Sequence, residues 1–362
     1  MKMRSLLPFT KCRRGGLSVL LAALSLTAVL AGCSGKTETP TAATAETAAA
    51  ETTGTASTVP TIIPEDVTIR VGSLKGPTSM GLVHLMDLSE QGTAGNNYEF
   101  TMFTAADELL AKIAVKDLDI ALVPANIASV LYNKTQAITV IDINTLGVLD
   151  IVASDDSIKS IADLKGKTLY LTGKGTTPEY VINYLLAANG LTTDDVSLEF
   201  KSEATEVAVI LKEQPDSIGL LPQPFVTAAC AQNENLKIVL DLTKEWQAVQ
   251  GAQGSQLVTG VTVVRKEFLE ENPNAIALFL QEHLASSDFA NANVDETAEL
   301  IARLGIVEKA AIAKKALPYC NITCITGEPM REALSGYLGV LAEQAPASIG
   351  GQVPDDGFYF LP

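Results

Sequence analysis

From Val67 onward, short apolar β-branched runs alternate with segments of helical period, an order that restricts the chain to largely parallel sheets covered by helices. Strand patterns fall at 67–72, 98–103 and 119–124, separated by helix patterns at 80–89 and 105–115. Two apolar runs follow at 138–143 and 147–153, and Gly166 closes a turn or short helix at 157–166. The rhythm then restarts. Strands are predicted at 168–171, 197–201, 217–221 and 237–241, with helices at 178–189, 206–212 and 225–233. A β-branched run at 256–264 leads back toward the first unit, and helices follow at 273–290, 295–304, 308–316 and 329–344. The expectation is an α/β protein of two lobes, the first built from 66–153 and 257–362 and the second from 154–256. Two crossovers, near Ser154 and Gln256, leave a cleft with a hinge, and ligands of such sheets sit at the carboxyl ends of the strands.

The first 60 residues indicate location. Lys2, Arg4, Lys11, Arg13 and Arg14 precede an apolar run at 17–30, the layout of a secretory signal, and the run is short against the roughly 20 residues of a spanning helix. Leu30-Ala31-Gly32-Cys33 resembles a bacterial lipobox, which implies cleavage after residue 32 and lipidation of Cys33. Residues 34–60 hold almost no large apolar side chain and no aromatic one, so 33–65 is expected to be a disordered tether. A coil of that length spans roughly 25 to 30 Å. The formal charge of −16 becomes −21 once the five cations of residues 1–32 are removed, which argues against nucleic acid as a partner.

Several segments together resemble the substrate-binding lipoproteins of bacterial ABC importers, in the nitrate, sulfonate, taurine and thiamine-precursor group. They are Leu74-Lys75-Gly76-Pro77-Thr78-Ser79-Met80-Gly81, Asp119-Ile120-Ala121-Leu122-Val123-Pro124-Ala125-Asn126, Leu171-Thr172-Gly173-Lys174-Gly175-Thr176-Thr177-Pro178-Glu179-Tyr180 and Leu221-Pro222-Gln223-Pro224-Phe225. The ending at 350–359 is similar too. The resemblance implies a type II periplasmic-binding fold with a central ligand cleft, closing on a small solute and delivering it to a permease and its ATPase. A monomer without cofactor or metal is implied, with no catalysis of its own. Two alternatives remain open: an enzyme of related fold in thiamine-precursor or menaquinone synthesis, and an exported sensor or adhesion module.

Each quoted loop follows a strand and opens a helix or tight turn, and so presents backbone N–H groups to the cleft. In the first, Gly76 admits close approach, Pro77 suits an early helical position, and Thr78 or Ser79 supplies a cap beside Met80. In the third, Thr177 reads as a cap before Pro178, with Thr176 and Gly175 beside it. Asn126 and Gln223 each carry an amide able to donate and accept. Lys75 and Lys174 either clamp an anion between the lobes or point to solvent. The ligand contacts expected are thus Lys75, Gly76, Thr78, Ser79, Met80, Asn126, Gly175, Thr176, Thr177 and Gln223. The solute is expected to be small and polar, anionic of the sulfonate or nitrate kind or pyrimidine-like.

Two histidines and five cysteines are too scattered for a zinc framework. His84 and His283 read as surface or core residues without catalytic partners. Cys320 and Cys324 would form a disulfide only across a turn or helix, with Cys230 as an alternative partner or a buried thiol.

Overall fold

A computed structural model describes residues 65–251 and 254–362; the expected signal sequence, Cys33 and all but the last residue of the expected tether lie outside the described residues. In the first sheet the chain runs β1 (Thr68–Leu74), α1 (Pro77–Met80), α2 (Val83–Glu90), β2 (Asn97–Phe103), α3 (Ala106–Ala114), β3 (Ile120–Pro124), α4 (Ala125–Thr135) and β4 (Ile138–Leu146). It passes to a second sheet through β5 (Leu149–Ala153), β6 (Thr168–Leu171), α5 (Thr177–Ala188), β7 (Ser197–Phe200), α6 (Ala204–Glu213), β8 (Ile218–Pro222), α7 (Phe225–Gln232), β9 (Lys237–Asp241) and α8 (Leu242–Gln250). It returns through β10 (Val258–Arg265), α9 (Lys266–Glu271), α10 (Pro273–Ala292), α11 (Val294–Arg303), α12 (Ala310–Ala316), β11 (Ile322–Ile325) and α13 (Gly327–Gln344).

The first sheet has the order β11-β4-β10-β3-β1-β2 and the second β7-β6-β8-β5-β9. Pairings among β1, β2 and β3, and among β6, β7 and β8, are parallel. The strands beside each crossing, β5 and β10, are antiparallel to their neighbours. This is the two-lobe α/β architecture expected.

One boundary is corrected. The run at 149–153 was expected to end the first lobe, but β5 is buried along its whole length between β8 and β9 in the second sheet. The first crossing therefore falls at 146–149, not near Ser154. An apolar strand carries no mark of which sheet it joins, and a strand buried on both faces lacks the alternation that would have oriented it.

Four elements were not anticipated: α4, α8, α9 and β11. In α8 the start is set by Asp241, whose carboxylate accepts from the backbone N–H groups of Thr243 (3.0 Å) and Lys244 (3.2 Å). Its Trp246 is fully buried and donates its indole N–H to Ser255 O at 2.9 Å. In α4 a polar stripe at helical spacing grips the C-terminal segment. Asn126 donates to Ser348 O (3.2 Å), Ser129 to Ile349 O (2.8 Å), and Asn133 to Ile349 O (2.8 Å) and Gln352 O (2.7 Å). The apolar core is continuous across the lobes, joining Leu109, Val123 and Val140 to Val258, Leu169, Trp246 and Tyr337.

The first sheet is locked by a buried carboxylate. Asp119 takes Arg70 Nε (2.8 Å) and Nη2 (2.7 Å), the Arg70 backbone N–H (3.0 Å) and Arg265 Nη2 (2.6 Å). Burial opposes its charge, but the two guanidinium groups and the backbone donor hold its pKa below the ordinary carboxylate range. Asp119→Asn leaves two arginines without their shared anion and is expected to cost about 2 to 4 kcal/mol in denaturant unfolding. Because the folded pKa is depressed, the wild-type contribution is present above about pH 4 and is lost as pH falls below it. Unfolding midpoints that decline as steeply toward acid in the Asn variant would refute this assignment.

Candidate ligand-binding cleft

The carboxyl ends of β3 and β6 meet through a direct hydrogen bond between the lobes. Asn126, fully buried in the first turn of α4, donates Nδ2 both to Gly175 O on the loop before α5 and to Ser348 O, each at 3.2 Å. Its Oδ1 is buried with no partner. Around it lie three more buried polar atoms without hydrogen-bond partners: Thr177 Oγ1, Tyr337 OH and Ser348 Oγ. Thr177 stands beside Tyr337, whose phenol is pushed up by burial and drawn back by the Thr177 hydroxyl. Buried polar groups are nearly always paired, so four orphans at one junction mark a place where a polar molecule would complete the bonding.

The local sequence explains how the third loop is held. Gly175 sits at φ 75°, a left-handed conformation open to glycine, and its N–H donates to Glu179 Oε2 at 2.5 Å. The cap of α5 is Thr176, one residue earlier than expected, and its hydroxyl turns back to Gly173 O (2.7 Å) instead of capping an N–H. Thr177 is consequently the first helical residue, buried, with its hydroxyl left over.

The first loop also departs from expectation. Gly76, buried at φ 150°, takes the cap position of α1. Thr78 and Ser79 do not cap the helix: their hydroxyls donate to Leu74 O at 3.1 and 2.6 Å, and Ser79 Oγ also meets Ser73 Oγ at 2.6 Å. Met80 packs into an apolar cluster with Val83 and Ile322. Thr78 does reach the floor between the sheets, because a Cβ added at Gly260 would lie 2.7 Å from its methyl and 2.5 Å from Asn144 Oδ1. Gly260 pairs with Pro124, two residues before Asn126.

Gln223 is buried but committed within its own lobe. It donates Nε2 to Asp150 Oδ2 (3.3 Å) and accepts from the Thr227 hydroxyl (2.8 Å). Asp150 is pushed up to about 7, first by burial and then by Asp241, while Gln223 and Lys244 act in the opposite sense. It is also felt by Cys320 of the first lobe, a thiol raised to about 12 mainly by burial. The lysines do not converge. Lys75 is exposed, and the Lys174 ammonium lies over the Phe200 ring, 5.8 Å from its centroid. Cys230, Cys320 and Cys324 are all free thiols, so the considered disulfides are not formed.

Of the residues singled out from the sequence, the structure brings Asn126, Gly175, Thr176 and Thr177 together, and it sets beside them Tyr337 and Ser348, which the sequence did not single out. Ser348 had an available signal in the family-like C-terminal segment that follows it. Tyr337 had only its place in a predicted helix.

Residues 133–297 match the family model described as NMT1/THI5 like. Binding proteins of Brucella abortus, Brucella suis and Brucella melitensis are 25% identical over 209 residues, 56% of this chain and 62% of theirs. The match therefore spans less than two thirds of those relatives' length. Among solved structures, an ABC transporter protein from Parabacteroides distasonis superposes with a TM-score of 0.69 at 23% identity, covering 82% of this chain and 99% of that one. The periplasmic aliphatic sulphonate binding protein SsuA from Escherichia coli gives 0.66 at 16%, covering 82% and 92%. The alkanesulfonate-binding protein SsuA from Xanthomonas axonopodis, bound to MOPS, gives 0.60 at 16%, covering 80% and 94%. The family resemblance and the periplasmic-binding fold read from the sequence are both borne out.

Asp150 yields a pH test. Its folded pKa lies above the unfolded value near 3.9, so the neutral acid favours the fold: its contribution is present below about pH 4 and is lost as pH rises toward about 7. The melting temperature of Asp150→Asn is expected to be insensitive to pH over that window where the parent declines, and higher than the parent at pH 8. Parallel pH curves for the two proteins would overturn the assignment.

Proposed function

We propose that this chain is the extracytoplasmic solute receptor of an ABC importer, held at the membrane through lipidated Cys33 and the tether at 33–65. It binds a small polar molecule between its lobes and presents the closed form to a permease and ATPase. The observation that carries this reading is the junction at Asn126, where one amide spans the lobes and, among the described residues, Asn126 Oδ1 and Ser348 Oγ have no partner while Thr177 Oγ1 and Tyr337 OH have only one another nearby. Such groups bind a solute that both donates and accepts. No buried cation joins them there, since Lys75 is exposed and Lys174 lies on Phe200, so recognition proceeds through hydrogen bonds more than charge. A zwitterionic sulfonate, an oxyanion or an aminopyrimidine meets that description. The named binding specificity of the sulfonate receptors of like fold supports testing sulfonates first.

The ligand contacts proposed are Asn126, Thr177, Tyr337 and Ser348, with Gly175 and Thr176 setting the loop, Gly76, Thr78 and Ser79 flooring the cleft, and Gln223 held back behind Asp150. No helix of the described residues is long and apolar enough to cross a membrane, which suits a receptor carried by an anchor at its N-terminus. Closure would then be a rotation of the lobes about 146–149 and 251–257.

The test is a thermal-shift screen of the detergent-purified chain against taurine, alkanesulfonates, nitrate, bicarbonate, aminopyrimidines and thiamine. A solute at about 100 times its Kd adds roughly 2.7 kcal/mol, a rise of a few degrees for a protein of this size. Asn126→Ala and Thr177→Ala are each expected to weaken the hit about tenfold or more, in line with about 1.5 kcal/mol for a lost buried hydrogen bond. Unchanged affinity in both variants would remove this junction as the site, and chemical turnover of the hit would replace the receptor reading with an enzyme.

A further inference from the structure

Asp142, His283 and Cys324 come together inside the first lobe from three elements, β4, α10 and β11. Asp142 and His283 are fully buried and Cys324 is partly so. His283 Nδ1 lies 3.1 Å from Asp142 Oδ2 and 4.0 Å from Cys324 Sγ, and the three donor atoms all fall within 4.8 Å of one another. Nothing in the cleft uses these groups, and an apolar lobe gains little from a buried acid and imidazole placed together for stability alone.

The surroundings orient the carboxylate of the cluster. The other oxygen of Asp142, Oδ1, accepts from the Thr262 hydroxyl at 2.8 Å, and Thr262 Oγ1 accepts from Asn144 Nδ2 at 3.1 Å, which fixes the carboxylate. The β11–β4 register shifts between Ile322 and Ile325, the interval that holds Cys324. Among the described residues Asp142 has His283 as its one ion-pair partner. Among the described residues His283 Nε2 has no hydrogen-bond partner, and the ring is held by Asp142 on its Nδ1 side and by packing on Phe279, 5.4 Å between centroids.

We propose that Asp142, His283 and Cys324 form a site for a zinc-class divalent ion. A carboxylate oxygen, an imidazole nitrogen and a thiolate are the donor set of such ions, and small rotamer adjustments bring these three to the roughly 2.0 to 2.3 Å bonds of zinc. The fourth position opens on the side of Cys324, the one ligand not sealed in the core. Binding displaces the thiol proton to solvent and leaves a complex of two anions, one neutral imidazole and one dication, so no net charge remains buried. The ion ties the edge strand β11 and helix α10 to β4, with water completing its fourth position.

Cobalt(II) is the probe, because it takes zinc's tetrahedral geometry and reports its ligands by absorption. The full chain, purified in detergent and freed of metal by chelator dialysis, is titrated with Co(II). One equivalent is expected to produce intense visible d–d bands together with a near-ultraviolet thiolate-to-cobalt band, both bleached by Zn(II), which also raises the melting temperature by a few degrees. Cys324→Ser, nearly the same in shape, should abolish the thiolate band while its far-ultraviolet circular dichroism matches the parent; His283→Gln should weaken binding at least tenfold. Cys230→Ser, remote from the cluster, should titrate as the parent does. Absence of the bands in the parent, or a thiolate band that survives Cys324→Ser, overturns the site and leaves a hydrogen-bonded Asp142–His283 pair.

Discussion

The central strand of the first sheet comes late in the chain. β10 lies between β4 and β3, yet it is made only after the whole second sheet, so the first lobe lacks its middle until the second has been traversed. This constraint governs the rest. Both connections between the sheets lie side by side because β4 and β10 are paired along most of their length. The loops that follow the carboxyl ends of β3 and β6 touch where Asn126 meets Gly175.

At that meeting point a single amide has two duties. Asn126 belongs to a stripe on α4 whose other members, Ser129 and Asn133, are structural, holding the C-terminal segment by its carbonyls. The same Nδ2 also reaches Gly175 in the other lobe. The proposed binding surface is therefore an extension of the packing that closes the first lobe. Its open valences are what remain after packing has used the rest, and they point where a solute of modest size would lie.

Much of this was legible in the residues. The strands at 168–171 and 237–241 and the two-sheet order follow from period and turn residues, and Asn126 stood out by following a strand and a proline. The partners were not legible. Gln223 was identifiable as a buried amide, but Asp150, 73 residues away and read as part of the other lobe, takes up its donor. The stripe on α4 repeats at helical spacing, yet its purpose depends on carbonyls more than 200 residues further on. Asp142 and His283 are 141 residues apart, and no spacing rule links them. What local pattern conveys is the type and order of elements; what it omits is the register by which distant segments are brought into contact.

The grip of α4 on residues 348–352 makes the end of the chain part of the cleft wall. Translation delivers those residues after every strand of both sheets. A nascent chain that has completed both sheets still lacks the Ser348 carbonyl that steadies Asn126, along with the hydroxyl beside it, so a partial product holds no finished site. In the receptor reading proposed above, capture of a solute depends on that segment, and loss of residues 348–352, far from either connection between the sheets, would silence the proposed site while leaving most of the fold in place.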